Sequence, residues 1–300
     1  MELWIPITMA AAFAQSLRFM LQKHLKATQL STAGATFARF IYSSPLVAVI
    51  AIVYANTSGQ GAPQIPPAFW PYMLAGGTSQ ILATMCVVAL FAHRNFAVGI
   101  TFKKTEVLLS AAVGFLVLGD VFTWPAIGAM CLGLAGVLLL SDPPDGVGAW
   151  HRRIFNRATA LGLGAGMLFA ISGNGYRGAS LSLGDGDFFY RAIITLAFVT
   201  AFQTVAMAGW LAWRERGQIS LVLRVWRVAG LVGLTSMVGS ICWFMAYTLQ
   251  NAAYVNAVGQ VELVFSLIIG AFVFGERIDR REWHGLLLLT ASIVMLVLVT

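Results

Sequence analysis

The sequence predicts an all-α polytopic membrane protein: ten transmembrane helices in two inverted five-helix repeats. Three observations predict it. Of 300 residues, 59% are hydrophobic and only 10% charged, whereas soluble domains carry about a quarter charged residues. Apolar stretches of the ~18 to 25 residues that cross a hydrocarbon core of ~30 Å occur ten times along the chain. The stretch from Gly99 to Gly119, GITFKKTEVLLSAAVGFLVLG, returns 156 positions later as VNAVGQVELVFSLIIGAFVFG, from Val255 to Gly275. Glu106, Ser110, Gly114 and Gly119 thereby correspond to Glu262, Ser266, Gly270 and Gly275. Five helices per unit is odd, so the second unit enters the membrane from the opposite side, the inverted architecture on which many secondary transporters build alternating access.

The expected spans of the first unit are Leu3 to Gln22, Ala33 to Ala55, Phe69 to Ala92, Ala97 to Leu118 and Phe122 to Leu140. Those of the second are Ala158 to Ser180, Phe188 to Trp213, Val228 to Leu249, Ala253 to Phe274 and Trp283 to Val299. Residues 1–141 form the first repeat, 142–157 a cytoplasmic linker and 158–300 the second repeat. The N-terminus has no basic n-region and no convincing small-residue cleavage site, so the first span reads as a transmembrane helix rather than a signal peptide. The repeat reaches beyond its acidic helix. Cys86 meets Cys242, Asn95 meets Asn251, and Phe13-Ala14 and Ser16 meet Phe169-Ala170 and Ser172, all at the same offset. Phe37 and Arg39 face Phe189 and Arg191 at an offset of 152, so one connecting loop differs by four residues.

Charge sorts between alternate loops. Lys23 and Lys26, Arg94, the trio Arg152, Arg153 and Arg157, the set Arg214, Arg216, Arg224 and Arg227, and Arg277, Arg280 and Arg281 follow the odd-numbered spans. The opposite loops hold acids such as Asp120, Asp185 and Asp187. The positive-inside rule then places the odd loops in the cytoplasm and both termini outside; the location expected is a bacterial inner membrane. The same rule accounts for the net charge of +7 without a nucleic-acid partner. Cys86, Cys131 and Cys242 lie in apolar segments without ligand spacing and read as small core hydrophobes. No HExxH, Ser/His/Asp set or aspartate pair appears, and the glycine runs around Gly164 and Gly175 have no strand before them and no Lys-Ser/Thr after them. No cofactor, metal or enzymatic activity is expected. The partners expected are a small-molecule substrate and membrane lipid, with the protein a monomer or homodimer.

The chemistry concentrates on the acids. At ~1.5 Å per residue Glu106 and Glu262 each lie about 13 Å into their spans, near the midplane. An ionisable group there is costly and needs a partner or a water-filled cavity. Glu106 and Glu262 are therefore candidates for proton coupling or gating, with interhelical hydrogen bonding as the plainer reading. Lys103 shares the face of Glu106, whereas Lys104 points to the other side; both are substrate-binding candidates, or else snorkel to the headgroups. Glu262 has no cation on its own stripe, where Gly259 and Gln260 replace the lysines, so Glu106 is expected ionised and Glu262 protonated. Gln260, Gln80, Asn174, Tyr176 and Trp243 complete the substrate-binding candidates. Arg18 is expected to snorkel, Arg39 and Arg191 to anchor span ends, Arg177 and Arg191 to find counter-ions in Asp185 and Asp187, and tryptophans at span ends, Trp4 among them, to form interface belts.

Each unit closes with an acid-bearing helix, a Gly-Asp or Gly-Glu turn (Gly119-Asp120, Gly275-Glu276) and a small-residue-rich last span. With Phe37-Ala38-Arg39-Phe40 at the start of the second span, this pattern resembles the EamA-type branch of the drug/metabolite transporter superfamily across essentially the whole chain. The resemblance implies secondary transport of a small organic metabolite, often export, by alternating access through a cavity between the repeats. The residues are read as those of a proton-linked or otherwise gradient-driven carrier, with a flippase for a lipid-linked headgroup as the alternative. Many ten-helix members keep both termini in the cytoplasm, and here the charges argue for the reverse.

Overall fold

The computed structural model describes residues 2–28, 30–90, 103–141, 157–265 and 280–299. Among these residues there are eleven helices and no strand: α1 (Trp4–Thr28), α2 (Thr32–Thr57), α3 (Phe69–Leu90), α4 (Glu106–Leu118), α5 (Trp124–Ser141), α6 (Arg157–Ser182), α7 (Phe188–Arg214), α8 (Gln218–Arg224), α9 (Trp226–Leu249), α10 (Ala252–Gly259) and α11 (Arg280–Val299). By length and composition α2, α3, α7 and α9 are apolar enough to cross a membrane, and α4 and α5 are shorter apolar helices. The protein is a multi-pass membrane protein. Its polarity is turned outside in: Leu116, Val205, Leu231 and Leu298 are exposed, while Arg18, Arg39, Lys103, Lys104, Glu106 and Glu262 are buried.

The helix limits follow local signals. Ser31, extended at φ −64°, caps α2 by accepting from the Gly34 amide, so α2 begins two turns before Arg39 and carries it into the interior. Asp187 caps α7 in the same way by accepting from the Tyr190 amide. Gly119 ends α4 at φ 71°, a left-handed turn that suits glycine, and the Asp120 amide donates to the Gly114 carbonyl.

Two spans expected to run unbroken are interrupted. In the fourth, Lys103 is helical, Lys104 and Thr105 form a turn, and helix resumes with Glu106 as the first residue of α4. In the ninth, α10 ends at Gly259, a turn occupies Gln260 and Val261, and helix resumes at Glu262. The Gln260, Val261 and Leu263 amides donate to carbonyls three residues back, so the turn is a tightened, 3₁₀-like one. Both breaks thus fall immediately before a glutamate. The periodic stripe through Gly99, Lys103 and Glu106 assumes 3.6 residues per turn across the break, and Gly99, like Ser266, Gly270 and Gly275, lies outside the described residues.

Helices pack in a regular set of partnerships: α3 on α6 and α1 on α9, α4 on α6 and α1 on α10, α2 on α7, α4 on α10, and α5 on α11. Small residues permit the closest approaches. A Cβ at Gly175 of α6 would stand 2.9 Å from the Gly76 Cα and the Tyr72 carbonyl of α3. One end of the bundle joins α2 to the segment before α8, where Ser31 donates to Glu215 and its amide to Gln218 Oε1 at 3.1 Å. The other end joins the α2–α3 loop to the start of α7: Tyr54 Oη donates to Asp187 at 2.8 Å, Gln60 also donates to Asp187, and Tyr190 Oη donates to the Gly61 carbonyl at 3.0 Å. Burial opposes ionisation of Asp187, yet these bonds and the Tyr190 amide outweigh it and hold its carboxyl below the usual range.

Trp4 is buried rather than belted at an interface, and Cys131 faces outward from α5 instead of filling the core. Arg177 pairs with Asp120 at 3.8 Å and donates to the Tyr247 carbonyl, not to Asp185 or Asp187. The side chains of Lys23 and Lys26, and Arg94, Arg152, Arg153 and Arg277, lie outside what is described.

Candidate functional site

The two helix breaks bring four charged side chains into one buried cluster. Lys103 Nζ stands 3.3 Å from Glu106 and 3.9 Å from Glu262, and Lys104 donates to Glu262. Each of these four residues is at most 9% exposed. Had the helix run on through 103–106, Lys104 would sit on a different face from Lys103; the turn swings both ammonium groups toward the second glutamate. This overturns two expectations together. Lys104 does not point away, and Glu262 is not the acid without a cation, because its counter-ions come from the other half of the chain rather than from its own stripe. Gly166 of α6 makes room for the break: a Cβ there would meet the Lys103 carbonyl at 2.9 Å and Thr105 Oγ1 at 3.2 Å.

Polar neighbours extend the cluster. Gln15 of α1 donates to Glu262 at 2.8 Å and accepts from Arg18 Nη2 at 3.2 Å. Arg18, expected to snorkel, is 2% exposed, because α1 continues to Thr28 and leaves it well inside the bundle. Asn256 of α10 donates to Ser110 Oγ of α4 at 2.7 Å and accepts from Tyr247 Oη at 2.8 Å, so each broken helix also holds the other beyond its break.

A narrow cavity of ≈ 40 Å³ opens beside the cluster, room for about three waters. Its polar lining includes Gln15, Arg39, Gln80, Lys103, Glu106, Ser172, Ser240 and Asn256, and its walls are Phe169, Tyr176, Trp243, Phe244 and Tyr247. The rings stack in pairs, Tyr176 on Phe244 with centroids 4.3 Å apart and Trp243 on Tyr247 at 5.6 Å. Lys103 also lies over the Phe169 ring at 4.9 Å. Arg39, expected as an anchor, projects into this space, with Nε donating to Ser236 Oγ at 2.8 Å, Nη1 to Thr84 Oγ1 at 3.3 Å and Nη2 to Ser240 Oγ at 3.3 Å. Gln80 completes the cradle. With its amide oriented to satisfy both ends, its oxygen accepts from Arg39 Nη1 at 2.8 Å and Nη2 at 3.1 Å while its nitrogen donates to Ser172 Oγ at 2.7 Å and Tyr176 Oη at 3.1 Å.

Of the residues singled out in the sequence, Lys103, Glu106, Gln80, Tyr176 and Trp243 thus line the cavity, with Lys104 and Glu262 behind it. Asn174 and Gln260 do not reach it. Asn174 donates to the Ser110 and Ala170 carbonyls and Gln260 to the Asn256 carbonyl, where they hold backbone. Gln15, Arg18, Arg39 and Asn256 belong to the site without having been among its candidates. Each carries a signal, a polar residue within an apolar stretch, but depth counted from an assumed span end misplaces both arginines. No group of three or more metal-ligating side chains occurs among the described residues.

The curated proteins contain no match to this chain. Among solved structures, a crystal structure titled only as that of a protein matches with a TM-score of 0.73 over 98% of this chain and 96% of its own, at 12% identity; a likeness at that identity is one of fold alone. Residues 157–298 match the EamA-like transporter family, and this places the chain in the drug/metabolite transporter superfamily, with the general role of a membrane transporter.

Proposed function

We propose that the protein is a secondary transporter of a small organic metabolite and that it works by alternating access between two inverted five-helix repeats. The observation that carries the reading is the meeting of two interrupted helices, one from each half, at a buried charged cluster beside a cavity. Discontinuous helices that meet at mid-membrane are how inverted-repeat transporters build substrate and ion sites. The partnerships of the helices support the repeat. Exchanging the two halves turns α3–α6 into α9–α1, and α4–α6 into α10–α1, while α2–α7, α4–α10 and α5–α11 map onto themselves. The two ends of the bundle support the alternation of the loops: Ser31, Glu215 and Gln218 meet at the end assigned to the cytoplasm by charge, and Gln60, Asp187 and Tyr190 at the other.

In this mechanism the Lys104–Glu262 and Lys103–Glu262 contacts join the halves in the state described, and the cavity is too small for a metabolite until they part. A proton on Glu262 would cancel its charge and release Lys104, which couples opening to proton uptake. Proteoliposomes loaded with labelled amino acids, organic acids, amines and nucleosides, under an imposed pH gradient, test the proposal. Solute-specific countertransport is expected, with Glu262→Gln abolishing its response to the gradient while exchange persists. Movement of labelled lipid headgroups without any solute flux would instead establish the flippase alternative.

A further inference from the structure

The charges around the cavity do not balance. Among the described residues the buried cluster holds four cations, Arg18, Arg39, Lys103 and Lys104, against two acids, Glu106 and Glu262. The lysines answer the acids. The arginines remain in excess, and Arg39 is the one that faces the cavity. Its five N–H groups meet only neutral oxygens, from Ser236, Thr84, Ser240 and Gln80; no carboxylate among the described residues comes within 4 Å of it. A buried guanidinium without a counter-anion is costly, and a protein that keeps one inside a membrane has a use for its charge. The cradle also fixes its orientation. Three hydroxyls hold the fork, and one neutral atom, the Gln80 amide oxygen, occupies the edge between Nη1 and Nη2 at 2.8 and 3.1 Å. That edge is the one through which an arginine takes a carboxylate or phosphate in a bidentate pair.

We infer that the cavity, widened once the lysine–Glu262 contacts part, binds an organic anion, with Arg39 as the fork for its carboxylate or phosphate group and the aromatic walls against an apolar body. The inference rests on the reading of this cavity as the transport site and names the substrate class. The anion displaces the Gln80 oxygen from the guanidinium edge, and the freed amide keeps its donors on Ser172 and Tyr176. Trp243 Nε1, a buried donor on the cavity wall with no hydrogen-bond partner among the described residues, supplies a further contact for a polar atom of the ligand.

The test uses four small phenyl-bearing probes that differ in head group: 3-phenylpropionate, phenyl phosphate, phenethylamine and 3-phenylpropionamide. Thermal unfolding of the purified protein is followed against each, since a ligand that binds the folded state raises the melting temperature. One or both anions should stabilise, the amine and amide should not, and the response of carboxylate against phosphate identifies the head group. Arg39→Lys keeps the charge but loses the fork, so half-maximal stabilisation should need at least about tenfold more anion. Stabilisation by the amine or amide equal to that by the anions overturns the inference, as does the absence of any anion effect on the wild type, a measurement that needs no variant to fold. An anion response unchanged in Arg39→Lys also overturns it. Anion binding without flux in proteoliposomes would refute the transport reading and leave the anion site standing; flux of amines with anions excluded would do the reverse.

Discussion

Removing Lys104 isolates the ion pair that joins the two halves. In Lys104→Met, Glu262 keeps Gln15 at 2.8 Å and Lys103 at 3.9 Å, but Lys103 is already shared with Glu106 at 3.3 Å. At an effective dielectric of ~20, one unit-charge contact near 4 Å is worth about 4 kcal/mol before desolvation, and breaking a buried pair from one side typically costs about 3–5 kcal/mol. Lys103 offsets part of that loss, so about 3 kcal/mol is expected for Lys104→Met. Glu262→Gln leaves Lys104 buried with no acid in hydrogen-bond contact and should cost a similar amount. The double variant Lys104→Met with Glu262→Gln removes both charges, retains the Gln15 hydrogen bond and should cost only about 1–2 kcal/mol, which makes the coupling about 4 kcal/mol or somewhat more. Lys103→Met with Glu262→Gln should show a smaller coupling, because Lys103 has a second acid. Reversible unfolding in mixed micelles, followed by tryptophan fluorescence, measures all these variants. Costs that add within about 0.5 kcal/mol for the Lys104–Glu262 cycle would refute a cross-half ion pair.

Further predictions bear on packing and on the bundle ends. Gly175→Ala should destabilise by about 1–3 kcal/mol, because its methyl meets rigid backbone of α3 at 2.9 Å. Gly164→Ala, on the same helix with nothing within 4 Å, should be neutral or stabilising by up to about 1 kcal/mol; thermal melts of the two side by side check this. Loss of the α7 cap in Asp187→Ala should cost about 1 kcal/mol at pH 7. The folded carboxyl lies below its unfolded value, so this contribution is present above the ordinary carboxylate range near about 4 and fades as pH falls through the folded value. Melts of wild type and variant from pH 7 to 3 should therefore converge at the acid end; a gap that widens there would contradict the account.

The fold is legible in the chain because hydrophobic length and repetition are local signals. Phe69, Phe188 and Leu249 bound helices where the apolar runs begin or end, and the Glu-Ser-Gly-Gly stripe exposes the repeat through residue identities alone. The site is legible in part, for the same reason: Lys103, Lys104, Glu106 and Glu262 stand out as charges in apolar runs. Their pairing is not. It depends on a turn at Lys104–Thr105 that no glycine or proline announces, and on distances between residues more than 150 positions apart. Arg39 is misplaced by its sequence position for a related reason. Its depth follows from the Ser31 cap, two turns upstream, and its partners Thr84, Ser236 and Ser240 lie on α3 and α9, which sequence order keeps distant.

Alternating access requires the cavity beside the cross-half cluster to open to each side of the membrane in turn. Ser240, on the cavity wall and bonded to Arg39, reports on it directly. In a background of Cys86→Ala, Cys131→Ala and Cys242→Ala, the single Ser240→Cys protein is reconstituted and treated with a membrane-impermeant thiol reagent from outside or from within the vesicles. Modification from both sides is expected, with Glu262→Gln changing the ratio of the two rates. Modification from one side only, under every pH gradient imposed, would contradict alternating access.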